Sequence, residues 1–225
     1  MSKHPVEFAL PPSLLEMSND RAAKVLAAYF APVTRAGGRF TGGQFDTFDP
    51  NGTRSASVNT FTSDDLVAVS LLSVDVSARA ALELLVSQRR RYEVLLEALG
   101  PDIDLVEVPS VAKADFRPAW ELWSALSELP GLGPTTVSKL MARKRPRMIP
   151  IFDSVINEVA LGGSGVLWSP MHAALRRNNR SLHQQLLECR AAAGLNESIS
   201  VLRVFDVLAW MDGSGNSDKI LASPA

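Results

Sequence analysis

Leu129-Pro130-Gly131-Leu132-Gly133-Pro134-Thr135-Thr136, running straight into Val137-Ser138-Lys139-Leu140-Met141-Ala142, is the stretch on which the reading of this chain turns. Two glycines separated by one residue mark a tight turn, and Pro134 suits the first position of a helix, where no backbone N–H is missed. The stretch therefore predicts two short helices joined by a Gly-x-Gly turn, with bare N–H groups at the start of the second helix. That end carries partial positive charge and unpaired donors, so it can hold a phosphate. Lys139, Arg143, Lys144, Arg145 and Arg147 follow within a few residues. A turn that offers amides to phosphate, with a basic segment behind it, reads as a clamp on a nucleic-acid backbone.

Working outward, residues 118–128 read as the helix that delivers the chain into the turn, and residues 138–142 as the core of the helix that leaves it. Further helices are expected at 19–29, from Thr62 through 66–72, at 77–99 with Arg89, Arg90 and Arg91 towards its end, and at 153–161, 168–177, 182–193 and 198–211. The string Leu66-Val67-Ala68-Val69-Ser70-Leu71-Leu72 is apolar nearly all round and predicts a helix in the middle of a core. Between Gly37 and Thr60 the glycine pairs and Asn51-Gly52 predict a small hairpin or an irregular extended segment. The expectation is an all-α protein of eight to ten helices. Its organisation reads as an N-terminal helix and irregular segment over 1–61, a helical core over 62–212, and a disordered Gly/Ser-rich tail over 213–225.

Composition narrows the function classes. The 225 residues are 46% hydrophobic and 21% charged, with a net charge of −1, so nucleic-acid binding has to rest on a local patch and not on overall charge. The single cysteine, Cys189, excludes a disulfide framework and any cysteine-held cluster. No apolar run approaches a membrane span and no signal-like segment opens the chain, so a cytoplasmic protein with no membrane partner is expected. His4, His172, His183 and Cys189 are dispersed, which gives no metal-ligand spacing.

The residues 129–142 resemble the helix-hairpin-helix of DNA-binding proteins, with its L-P-G-x-G-x-x-T pattern. They are more specifically similar to the version found in the base-excision DNA glycosylase superfamily. There a short apolar segment leads to an aspartate that opens the next helix. Met148-Ile149-Pro150-Ile151-Phe152 matches that segment, and Asp153 stands 24 residues after Leu129. The resemblance covers roughly residues 129–162. The layout, with Phe61-Thr62-Ser63-Asp64-Asp65-Leu66 ahead of the hairpin, is also similar to an uncharacterised bacterial family with no assigned function.

The glycosylase resemblance implies that Asp153 is the essential carboxylate, stabilising positive charge on the sugar of a flipped nucleotide and aligning a water. It implies that Gly131, Leu132, Gly133, Thr135 and Thr136 grip DNA phosphates, with Lys139, Arg143 and Lys144 behind them. Members that also cleave the strand carry a lysine where this chain has Thr135, and Lys139 one turn on is a poor geometric substitute; hydrolysis without lyase activity is therefore implied. Two departures stand out: Glu158 replaces a common basic residue, and Val74-Asp75-Val76 replaces a glutamine-containing plug. No cofactor is expected beyond a monovalent cation on the hairpin carbonyls.

Other readings stay open on the same residues. The hairpin also reads as an ordinary turn with a glycine cap, and Asp153 as a plain helix N-cap. The basic run also reads as a solvated loop. Trp120 and Trp123 read as core and not as base-stacking platforms. A non-catalytic nucleic-acid-binding or protein-interaction module on the same scaffold accommodates all of these.

Overall fold

The computed structural model describes residues 8–16, 18–34 and 37–222. Among them lie ten α-helices and no strand, so the chain is all-α. In order these are α1 (Asp20–Phe30), α2 (Ser63–Ser70), α3 (Ala78–Leu82), α4 (Arg89–Leu99), α5 (Arg117–Ser127), α6 (Pro134–Lys144), α7 (Ser154–Leu161), α8 (Trp168–Ala192), α9 (Val201–Gly213) and α10 (Asn216–Leu221). Short 3-10 turns at Pro12–Leu14, Thr41–Gln44, Ser55–Ser57 and Leu105–Glu107 join them.

The helix in the middle of the core is α9, not α2. Val201 to Ala209 are all buried, and α1, α7, α8 and α10 pack around that helix. The fully apolar reading of 66–72 is corrected: α2 buries only Asp65, Ala68 and Val69, and Val67 is 46% exposed. Its start is specified locally, since Thr62 and Asp65 form a reciprocal capping box that satisfies two otherwise unpaired backbone donors. Trp120 is half-buried and Trp123 packs edge-on, both against Trp168 at 4.5 and 5.8 Å between ring centres, which makes them core residues.

Three local expectations are corrected. Residues 37–60 form 3-10 turns and bends instead of a hairpin. Gly42 and Gly43 lie so close to α1 that a Cβ on either would sit 2.1 Å from Tyr29 Oη or 2.5 Å from the Tyr29 carbonyl. These glycines serve close backbone approach, which a turn-based reading of glycine pairs takes for a hairpin. The 77–99 helix is interrupted by a π turn over Glu83–Ser87 and restarts at Arg89, so Arg89, Arg90 and Arg91 open α4 instead of closing a helix. They are held by Glu93, Glu97 and Glu128. The tail is also ordered as far as residue 222, because α10 packs on α1 and α9 and buries Ser217. Residues 1–7, which include His4, and residues 223–225 lie outside the described residues.

Candidate functional site

The hairpin forms as its sequence dictates. Leu129 and Leu132 are buried and anchor the turn, which closes through Leu132 N–H to Leu129 O at 3.2 Å. Gly131 takes a φ of 81°, a left-handed conformation that costs an L side chain about 1–2 kcal/mol. Pro134 occupies the first turn of α6, and Gly133 is its N-cap with no side chain to cap the helix. Gly131, Gly133 and Pro134 face solvent, Thr135 is half-buried and Thr136 is buried. The backbone N–H groups of Gly133, Thr135 and Thr136 make no hydrogen bond to any described residue.

The basic residues behind the turn point the other way. Lys139, Arg143, Lys144 and Arg145 are all at most 6% exposed. Arg143 Nε bonds Asp65 at 3.1 Å, and its other nitrogens bond the carbonyls of Phe45 and Phe48. Lys144 pairs with the same Asp65 and donates to Ser57 O at 3.0 Å. Arg145 serves the carbonyls of Gly100, Val58 and Leu96. The run is an internal bracket that ties α6 to the N-terminal segment and α2, which corrects the expectation that Lys139, Arg143 and Lys144 form a phosphate-facing patch. The physical reason is that a buried carboxylate and a set of loop carbonyls need donors, and long basic side chains on α6 supply them. Arg147 is exposed but bonds Asp104 at 2.7 and 2.9 Å.

Asp153 is placed by two devices. Ser138, fully buried on α6, accepts from Phe152 N–H at 2.9 Å and lies 3.1 Å from Phe152 O, which pins the segment ahead of Asp153 onto the hairpin helix. Asp153 then N-caps α7, with Oδ1 accepting from Ile156 N–H at 2.9 Å. Gly162, with a φ of 54°, ends that helix in the left-handed conformation that glycine adopts at little cost. The N-cap reading of Asp153 is correct, and it leaves the second carboxylate oxygen free of any described hydrogen-bond partner.

Asp153 also lines a cleft of about 380 Å³. Thr135 and Lys139 reach it from α6, Leu71, Leu72 and Ser73 from the end of α2, and Arg203, Asp206 and Trp210 from α9. Tyr29 of α1 and the stretch from Arg39 to Gly42 form another part of the wall. Tyr29 and Phe40 stack at 5.3 Å, and Trp210 meets both edge-on. Lys139 Nζ donates to Leu72 O at 2.8 Å. Burial lowers the Lys139 pKa, and the nearby carboxylates of Asp206 and Asp153 oppose that shift.

Sequence reasoning missed Arg203, Asp206 and Tyr29. Arg203 is buried and satisfied on every side: Nε bonds Asp46 at 3.0 Å, Nη1 pairs with Asp206, and Nη2 bonds Tyr29 Oη at 3.0 Å and Gly42 O at 2.9 Å. Burial raises the Asp206 pKa to about 6; Arg203 opposes the shift and Asp153 adds to it. The signal was present. Arg203 and Asp206 stand one turn apart inside Val201-Leu202-Arg203-Val204-Phe205-Asp206-Val207-Leu208, and two charges in an otherwise apolar helix must be paired inside the protein.

Among the described residues no group of three or more His, Cys, Asp or Glu is arranged to hold a metal ion, and no helix is long and apolar enough to cross a membrane. No curated protein and no solved structure matches the chain. A family model does match it, over residues 22–213, which is more than half its length. The chain belongs to that family, a family of unknown function, DUF6308.

Proposed function

We propose that this protein binds DNA through its helix-hairpin-helix and acts as a monofunctional DNA N-glycosylase, with Asp153 as the essential carboxylate. The observation that carries the reading is the shared wall. The segment that ends at Phe152, just ahead of Asp153, is pinned to the hairpin helix by Ser138, and Asp153 lines a cleft that the same helix lines. A cleft of about 380 Å³ falls within the range of small-molecule sites, roughly 300–1,000 Å³. The unpaired N–H groups of Gly133, Thr135 and Thr136 supply the phosphate grip in this reading, and the buried Lys139, Arg143 and Lys144 contribute by holding the hairpin in place. The carbonyls of Leu129 and Pro130 are engaged by Leu132 N–H and Ser77 Oγ, so a monovalent cation would use those of Gly131 and Leu132.

In the reaction, the bond between C1′ and the base nitrogen breaks with its electron pair going to the base. A water oxygen bonds to C1′ and gives up one proton, the leaving base takes up one proton from solvent, and Asp153 faces the developing positive charge. Thr135 offers no amine at the position of the lyase lysine, so an intact abasic site is the product. The test incubates the protein with duplexes carrying uracil, hypoxanthine, oxidised guanine or an alkylated base, then cleaves abasic sites chemically. Asp153→Asn is the control, because asparagine keeps the N-cap and removes the charge. Base release by the native protein and not by the variant supports the reading; no release above the variant from any duplex rejects it.

A second reading, a non-catalytic nucleic-acid-binding or protein-interaction module, is favoured by the inward Arg143, Lys144 and Arg145. Duplex binding without base release would select its nucleic-acid form.

A further inference from the structure

We propose that Arg39 holds a backbone phosphate of a nucleic-acid strand at the rim of the cleft, so that the cleft takes a nucleotide still joined in its strand and not a free base or nucleoside. The inference rests on the nucleic-acid binding proposed above and adds to it a second phosphate contact, on the wall built by the N-terminal segment.

Three cationic side chains line the cleft, and they are not equivalent. Lys139 is 6% exposed and donates to Leu72 O. Arg203 is 4% exposed and commits its guanidinium to Asp46, Asp206, Tyr29 and Gly42. Arg39 is exposed, and no described residue pairs with its charge or accepts a hydrogen bond from its side chain. The two buried cations serve groups of the protein itself, whereas Arg39 is left for an anion from outside. Asp153 lines the same cleft and forms no ion pair with Arg39, so the two charges address different parts of one ligand, the sugar and a phosphate. A guanidinium fork suits a phosphate, because two parallel N–H groups match two of its oxygens.

The backbone that presents Arg39 is fastened on both sides. Gly38 has a φ of 81°, and a Cβ there would stand 2.2 Å from the Pro32 carbonyl oxygen and 2.7 Å from the Val33 Cα, so backbone lies directly on backbone. On the other side Phe40 stacks on Tyr29 at 5.3 Å, and Thr41 Oγ1 donates to Leu71 O at 2.9 Å. A free side chain on a fixed backbone binds with little ordering cost beyond its own.

The same fastenings relate Arg39 to the hairpin. Thr41 holds the carbonyl of Leu71 and Lys139 holds that of Leu72, the next residue, so the end of α2 lies between the Arg39 segment and the hairpin helix. Thr135, with its unpaired N–H, lines the cleft from the start of that helix. Donors for phosphate thus stand on two walls of one cleft. A strand that crosses the cleft meets both, and a nucleoside, which has no phosphate, meets neither.

The experiment measures duplex binding by the full chain against salt, for the native protein, Arg39→Gln, Arg39→Lys and Arg177→Gln. Arg177 is exposed on α8, does not line the cleft and has no described partner, so it reports the removal of a charge elsewhere. Expected for Arg39→Gln is a slope of log affinity against log salt smaller by about 0.9, with affinity about five- to tenfold weaker at 0.1 M salt and an unchanged thermal midpoint. Arg39→Lys keeps the charge and the native slope, and Arg177→Gln keeps the native slope as well. Free nucleosides in large excess should leave duplex binding unchanged; displacement by them would overturn the strand requirement. An unchanged slope in Arg39→Gln, or an equal fall in Arg177→Gln, overturns the contact and leaves the hairpin grip and the N-glycosylase reading intact. The smaller slope without base release from any duplex supports the Arg39 contact and rejects the N-glycosylase reading. No binding of any duplex by the native protein removes both.

Discussion

Lys139 Nζ donates to the backbone carbonyl of Leu72 at 2.8 Å, just before Ser73 turns through a φ of 59°. A non-glycine residue in that region is held there by its surroundings, and the lysine is one of the holders. Thr41 Oγ1, bonding Leu71 O at 2.9 Å, is another. The pair joins the hairpin helix to the end of α2 across the floor of the cleft.

Replacing Lys139 with methionine leaves the Leu72 carbonyl without that donor. The expected cost is about 1–3 kcal/mol in urea unfolding. A surface phosphate contact behaves differently: its loss lowers the slope of log affinity against log salt by about 0.9. Lys139→Met should therefore lower the unfolding midpoint and leave the salt slope of duplex binding unchanged.

The bracket around Asp65 is the larger stake. Asp65→Asn keeps an acceptor for the Thr62 N–H, so the capping box survives, but Arg143 and Lys144 lose their shared buried countercharge. Removing one partner of a buried ion pair costs about 3–5 kcal/mol. The exposed pair Arg117–Glu121 offers the contrast, since its disruption should cost at most about 1 kcal/mol. Equal effects in chemical denaturation would contradict the internal role of the basic run.

What the sequence disclosed divides along a physical line. The hairpin, the Asp153 cap and the Gly162 stop are local, because each is set by residues within a turn or two of one another. The direction of Arg143 and Lys144 is not local. It depends on Asp65 and on the carbonyls of Phe45, Phe48 and Ser57, far away in sequence, and a basic run looks the same whether it faces solvent or an internal acid. The cleft wall escaped for the same reason. Tyr29, Phe40 and Arg203 meet only after α1, the 37–48 segment and α9 have packed. Arg203 and Asp206 announced only that they needed partners.

Stability should carry the signature of Asp206. Its pKa is raised to about 6 in the folded chain from an unfolded value of 3.8, so the fold binds this proton more tightly than the unfolded chain does. Its contribution is fully present below about pH 4 and is lost as pH rises through about 6. Asp102, also raised to about 6 by burial, acts in the same direction. Asp104 and Glu93, lowered mainly by their hydrogen bonds from Arg147 and Arg89, act in the opposite one. The difference between the native protein and Asp206→Asn isolates one term. The native protein should lose on the order of 1–3 kcal/mol relative to the variant between pH 4 and pH 7, read as unfolding midpoints. A constant difference across that range would mean that Asp206 is ionised throughout.

The two hairpin glycines separate fold from binding. Gly131 has a φ of 81°, and a Cβ there would meet Ser77 only at 3.7 Å, an ordinary contact, so Gly131→Ala costs backbone strain of about 1–2 kcal/mol and no clash. Gly133 has a φ of −83° and a ψ of 172°, which alanine adopts readily, and nothing lies within 4 Å of its Cβ position. Gly133→Ala should therefore leave stability unchanged or raise it by about 0.4–1 kcal/mol through the unfolded chain. Its methyl group would nevertheless project from the exposed turn ahead of the unpaired N–H groups of Thr135 and Thr136, on the side from which a phosphate has to approach. If the hairpin grips nucleic acid, Gly133→Ala weakens duplex binding at undiminished stability, whereas Gly131→Ala lowers the unfolding midpoint first. Unchanged duplex affinity in Gly133→Ala would remove the turn from the binding surface.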